Sequence, residues 1–132
     1  MKRQSTKFVI AIVVVHLILN IVHGLAHREL HIDISSSSSI FVIVVVLLLP
    51  LVAMALVCTA QRQLGLFLLS GSMFGSLLFG LYHHFVIESI DRVHLPPRSL
   101  WEATFALTAY GLVVLEAIGT YIGIRFLDYQ RC

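Results

Sequence analysis

The chain has 132 residues, of which 58% are apolar and only 12% charged, with a formal net charge of +2. A soluble domain of this length carries about a quarter charged residues, so a chain this apolar has too little polar surface to meet water on all sides. The small, unclustered positive charge excludes a nucleic-acid partner, and two distant cysteines, Cys58 and Cys132, make neither a disulfide framework nor a CxxC metal or redox motif.

A bilayer core about 30 Å thick is crossed by roughly 20 apolar residues in helix. The first such run covers residues 8–26 and follows the basic start Lys2, Arg3 and Lys7. A cleaved signal peptide is the rival reading, because Gly24-Leu25-Ala26 resembles a small-residue cleavage site. His16, Asn20 and His23 interrupt the apolar region and favour a retained span. Residues 27–39 form the next loop. Its five serines, Ser35 to Ser39, are too polar for hydrocarbon, and Ser39 is the expected N-cap of the second helix.

The second run, 40–60, is nearly pure valine, leucine and isoleucine in its first half and is expected to be the most lipid-facing. Pro50 should kink it. A short link, 61–63, leads to the third run, 64–87, which is rich in small residues: Ser70, Gly71, Ser72, Gly75, Ser76 and Gly80. Such residues let membrane helices approach closely. In the loop 88–99, Pro96 and Pro97 block helix continuation. Ser99-Leu100-Trp101-Glu102 then matches the S-x-x-E capping box that opens a helix. The fourth run, 100–126, carries Ala106, Ala109, Ala117 and the pair Gly119-x-x-x-Gly123. The expected fold is all-α, a single four-transmembrane-helix bundle with the third and fourth helices at its centre.

Six basic residues, Lys2, Arg3, Lys7, Arg62, Arg125 and Arg131, fall on the side of the termini, against Arg28, Arg92 and Arg98 on the other. Cytoplasmic loops carry the excess of Lys and Arg, so both termini are expected in the cytoplasm and the two longer loops outside.

Seven histidines stand in this apolar chain. His16, His23, His27 and His31 are spaced by 7, 4 and 4, which puts them within about 80° of arc on one helical face. His83 and His84 close the third run and His94 follows in the loop. Glu29, Asp33, Glu88, Asp91 and Glu102 share the outer end of the bundle with them. Ionisable groups at membrane depth are costly and point to function.

Imidazole with carboxylate suits Zn²⁺, Fe or Cu²⁺, and no cysteine or methionine stands near to favour Cu(I). The candidate metal ligands are His23, His27, His31, His83, His84 and His94. The core expectation is that His27, His31 and one of His83 or His84 share an ion, with His23 in reserve. The alternative cofactor is haem b, with His23 or His27 facing His83 or His84 and with Gly24 and Gly80 giving the porphyrin room. Proton sensing and a purely structural role compete with both. Deeper in the membrane, His16 and Glu116 reach similar depth on antiparallel helices and are expected to pair, with Asn20 one turn away.

No catalytic constellation is present. The serines are not in G-x-S-x-G, and His23-Gly24-Leu25-Ala26-His27 lacks the glutamate of H-E-x-x-H. The expected partners are the lipid bilayer, a metal ion, and further copies of the chain or other subunits of a membrane complex.

Overall fold

The computed structural model describes residues 2–131 and the side chains of residues 4–128. The side chains of Lys2, Arg3 and Arg131, three of the six basic groups on the side of the termini, and the whole of Cys132 lie outside the described set. The described residues are mostly helical, with no strand among them, and form four helices long and apolar enough to cross a membrane: Gln4–Glu29, Ser36–Val57, Arg62–Val86 and Leu100–Asp128.

Five α-helices build these spans: α1 (Lys2–Glu29), α2 (Ser36–Phe41), α3 (Leu49–Val57), α4 (Arg62–Leu81) and α5 (Leu100–Arg131). A π-helical stretch, Val42–Leu48, joins α2 to α3, and a second, Tyr82–Val86, extends α4. The first stretch lies just ahead of Pro50, which has no N–H to give and whose ring crowds the preceding turn. Leu49 N–H bonds five residues back, to Val44 O, and this wider turn admits the ring.

Helix ends follow local chemistry. The second span opens at Ser35, not Ser39: the Ser35 hydroxyl accepts from Ser38 N–H at 3.2 Å, so the remaining serines form the first helical turn. It closes at Val57, where the Thr59 hydroxyl takes the Leu56 carbonyl at 2.9 Å. The start of α5 carries the serine half of the expected capping box, while its glutamate bonds one residue further back. Glu102 N–H donates to Ser99 Oγ at 3.1 Å, while the Glu102 carboxylate reaches back to Arg98 N–H at 2.6 Å.

α5 packs against both α1 and α4, and α4 against both α5 and α3, so α4 and α5 are the central helices. Gly65 brings α4 against α3, and an added Cβ there would lie 2.7 Å from Val57 N and 2.8 Å from Ala53 O. Gly119 and Gly123 of α5 likewise leave room for Met73 and Ser70 of α4. Lipid tails are as apolar as leucine, so such backbone approach holds membrane helices together where burial from water would not.

The interior is divided by depth. Towards the termini it is apolar, with Val9, Ile12, Val13, Ala53, Val57, Leu66, Leu69 and Met73 all buried. The rims carry large exposed apolar side chains on every span, among them Ile18, Ile40, Phe67, Leu78 and Leu107. Arg62 ties the α3–α4 link to the start of α1 by donating to the hydroxyls of Ser5 and Thr6. Towards the two longer loops the interior is polar: His16, His23, His84, Asp91, Thr108 and Glu116 are buried there.

Candidate metal centre

Three elements meet at the polar end. α1 brings His23 and His27, one turn apart on the face it turns inward. The π-helical extension of α4 brings His84, and α5 brings Phe105 and Thr108. His84 sits in a turn closed by Ile87 N–H to Tyr82 O, five residues apart, at 3.0 Å. The loop after it folds back, and Val93 N–H donates to His84 O at 2.9 Å. That return delivers Asp91 to the centre.

The three imidazoles are close enough to hold one metal ion, each offering a ring nitrogen within 4.8 Å of the others. His23 Nε2 stands 3.3 Å from His84 Nε2 and 3.2 Å from His27 Nε2. Three nitrogens at about 2.0–2.1 Å from a tetrahedral ion stand about 3.3 Å from one another, so the two spacings at His23 match ligands around a single ion, while the third pair, His27 and His84, lies within 4.8 Å.

The outer nitrogens of two rings are already committed. His84 Nδ1 lies 2.9 Å from the Asp91 backbone oxygen, which only accepts, so Nδ1 carries the proton. His23 Nδ1 lies 2.8 Å from Thr108 Oγ1, whose own proton goes to Thr104 O at 2.7 Å; the hydroxyl oxygen therefore accepts from His23 Nδ1. In the neutral form both rings thus turn an unprotonated Nε2 inward, the tautomer that a hydrogen bond at the far nitrogen imposes on metal-ligating histidines.

With all three imidazoles neutral, the centre is short of positive charge and of protons. Asp91 Oδ1 is 3.3 Å from His27 Nε2 and 3.2 Å from His84 Nδ1, yet it is buried without a hydrogen bond, because the His84 N–H is directed at the backbone oxygen. A single proton on His27 Nε2 cannot serve the lone pairs of His23 and His84 and the Asp91 carboxylate together. His27 is the least fixed of the three, since its Nδ1 is buried with no partner. The Phe105 ring closes the site, stacked on His23 at 4.8 Å and edge-on to His27 at 5.1 Å and to His84 at 5.3 Å.

The remaining sequence candidates lie elsewhere. His31 is exposed at φ 53° just beyond the end of α1, where its N–H bonds to Arg28 O and that of Ile32 to His27 O. This is the left-handed Schellman ending of a helix, and it breaks the periodicity that had aligned His31 with His27. His83 points away from His84, tilted against Phe79 at 4.3 Å, which in turn stacks on Phe41. Neighbours in a helical turn point about 100° apart, so one of the pair must face away. His94 is exposed in the loop, and Gly24 faces open space with nothing within 4 Å of an added Cβ.

Asp91, Thr108 and Phe105 were not singled out by the sequence as parts of the centre. Only Asp91 carried a signal, as one of five carboxylates at this level. One turn and more below the centre, His16 Nε2 and Glu116 Oε1 meet at 3.1 Å, with Asn20 Nδ2 3.2 Å from the same nitrogen, as the matched depths imply.

Fold and site together define an all-helical chain with four helices fit to cross a membrane and a buried three-histidine centre able to hold a metal ion. Comparison with protein-family models, curated proteins and solved structures yields no match.

Proposed function

We propose that this chain is an integral membrane protein that binds one transition-metal ion through Nε2 of His23, His27 and His84, with Asp91 as the neighbouring counter-charge. The observation that carries this reading is the convergence of two imidazole lone pairs, fixed by their outer hydrogen bonds, on a third imidazole and an unpartnered carboxylate oxygen.

Bilayer insertion is supported by the length and apolar surface of the four spans. The excess of basic residues at the end bearing the termini supports cytoplasmic termini and an outward-facing metal centre. Imidazole nitrogen beside carboxylate oxygen suits Zn²⁺, Fe²⁺ or Cu²⁺. Haem fits less well: the flat slot it needs between two axial imidazoles is filled by the third imidazole and the Phe105 ring.

Elemental analysis and an absorption spectrum of the detergent-purified protein test the reading. One metal equivalent per chain without a Soret band is expected. A Soret band would replace the ion by haem, and protein that never holds either under metal-replete conditions would sink the proposal.

A further inference from the structure

His16 and Glu116 are 1% and 3% exposed, deeper than any other histidine or carboxylate described in the chain. A carboxylate near the middle of a span is expensive to retain, and a pair of apolar side chains would hold two helices together without that burden. Glu116 Oε1 faces His16, but Oε2 faces another way, towards Gly80 of α4. A Cβ built on Gly80 would stand 4.0 Å from Glu116 Oε2 and 4.0 Å from His84 Cδ2, with no other atom as near. The carboxylate and the His84 ring are thus no more than about 8 Å apart, the two separations laid end to end, and Gly80 sets no side chain between them. In imidazole, Cδ2 is bonded to Nε2, so this edge of His84 adjoins its metal-facing nitrogen.

We infer that His16 and Glu116 form a second, deeper station for the metal ion, joined to the three-histidine centre by the gap at Gly80, so that the protein passes ions inward instead of storing them. This rests on the reading of the outer centre as a metal site. The inner pair offers the same donor chemistry, one imidazole and one carboxylate, which suits the same borderline divalent ions. Two protein donors in place of three make it a weaker, transient stop. Beneath it the interior closes: around Gly119, one turn below Glu116, Met73 and Ile12 pack to within 3.0 and 3.4 Å of an added Cβ. This apolar layer keeps ions from leaking through while the outer half of the path is filled.

The test uses the full chain in liposomes that enclose an impermeant fluorescent zinc indicator, with Zn²⁺ added outside, and zinc binding measured in parallel. Wild type is expected to take up zinc above empty vesicles. Glu116→Gln retains a hydrogen-bonding partner for His16 and should bind zinc at the outer centre within about threefold of wild type, yet lose at least tenfold in initial uptake. Gly80→Ala, whose methyl meets nothing closer than 4.0 Å, should fold and slow uptake, and Gly80→Leu should fill the gap and abolish it. Wild-type uptake rates in Glu116→Gln or Gly80→Leu would overturn the inference, as would wild type that binds zinc without transporting it. Should Glu116→Gln fail to fold, Gly80→Ala, whose methyl comes no nearer than 4.0 Å to Glu116 Oε2 and His84 Cδ2, decides the matter: unchanged zinc binding with wild-type uptake would overturn the inference. Wild type that binds no metal at all would instead sink the outer-centre reading, and this inference with it.

Discussion

His84 Nδ1 and the backbone oxygen of Asp91 are 2.9 Å apart, and this contact orients the one imidazole that comes from outside α1. It joins the end of the third span to the loop that follows, so the loop is part of the centre. Because a main-chain carbonyl makes the bond, the side chain of residue 91 is free for a different task. Its Oδ1 lies beside His27 Nε2, where a cation would otherwise have no formal negative charge at hand.

Replacing that carboxylate separates the two tasks. Asp91→Asn keeps the backbone bond to His84 and removes the charge. Metal affinity should fall roughly 10–100-fold, the range for outer-shell partners, with the stoichiometry unchanged. Competition against a chelator of known strength measures this, and an unaltered affinity would show that Asp91 acts through its backbone only.

Single alanine substitutions sort the histidines. His23→Ala, His27→Ala and His84→Ala should each remove most bound metal, because three protein nitrogens become two. His31→Ala, His83→Ala and His94→Ala should leave it, since these side chains point to solvent or to Phe79. Retention of stoichiometric metal by the triple variant of His23, His27 and His84 would move the site elsewhere.

Protons compete with the ion. Metal-bound imidazole is neutral, so affinity should be greatest at neutral and alkaline pH and fall at the acidity at which the metal-free rings take up protons. Each displaced proton makes the apparent constant fall about tenfold per pH unit. Metal titrations at falling pH in which affinity stayed flat until the protein unfolded in acid would argue against imidazole ligation.

The His16–Glu116 pair should also contribute stability. Glu116→Leu leaves His16 without its carboxylate partner in a dry interior and should cost about 1–3 kcal/mol, whereas Glu116→Gln should cost less. Thermal melts in detergent read the difference. Equal midpoints for wild type and Glu116→Leu would remove the stabilising role.

Topology is tested at the cysteines. Cys58 was expected within a span, but it caps the C-terminus of α3 and is exposed at the same end as the start of α1. An impermeant thiol reagent should therefore leave Cys58 and Cys132 unlabelled in intact cells and label Cys58 once the membrane is opened. Labelling in intact cells would reverse the orientation.

Periodicity alone determined much of this molecule. Runs of apolar residues marked the four spans, the 7 and 4 spacings put His16, His23 and His27 on one face of α1, and equal depth paired His16 with Glu116. Each of these depends only on rise and rotation along one helix, or on counting from a helix end. Tertiary structure decided what faces that stripe. The rotation of α4 and its π-helical end chose His84 over His83, and the left-handed ending of α1 removed His31. The return of the 88–99 loop picked Asp91 from five carboxylates, and the approach of α5 supplied Thr108 and Phe105. Spacing along a chain carries direction and depth. Which rings meet depends on how one helix is turned against another, and that is settled by packing across the bundle, at glycines such as Gly65, Gly119 and Gly123 far in sequence from the centre.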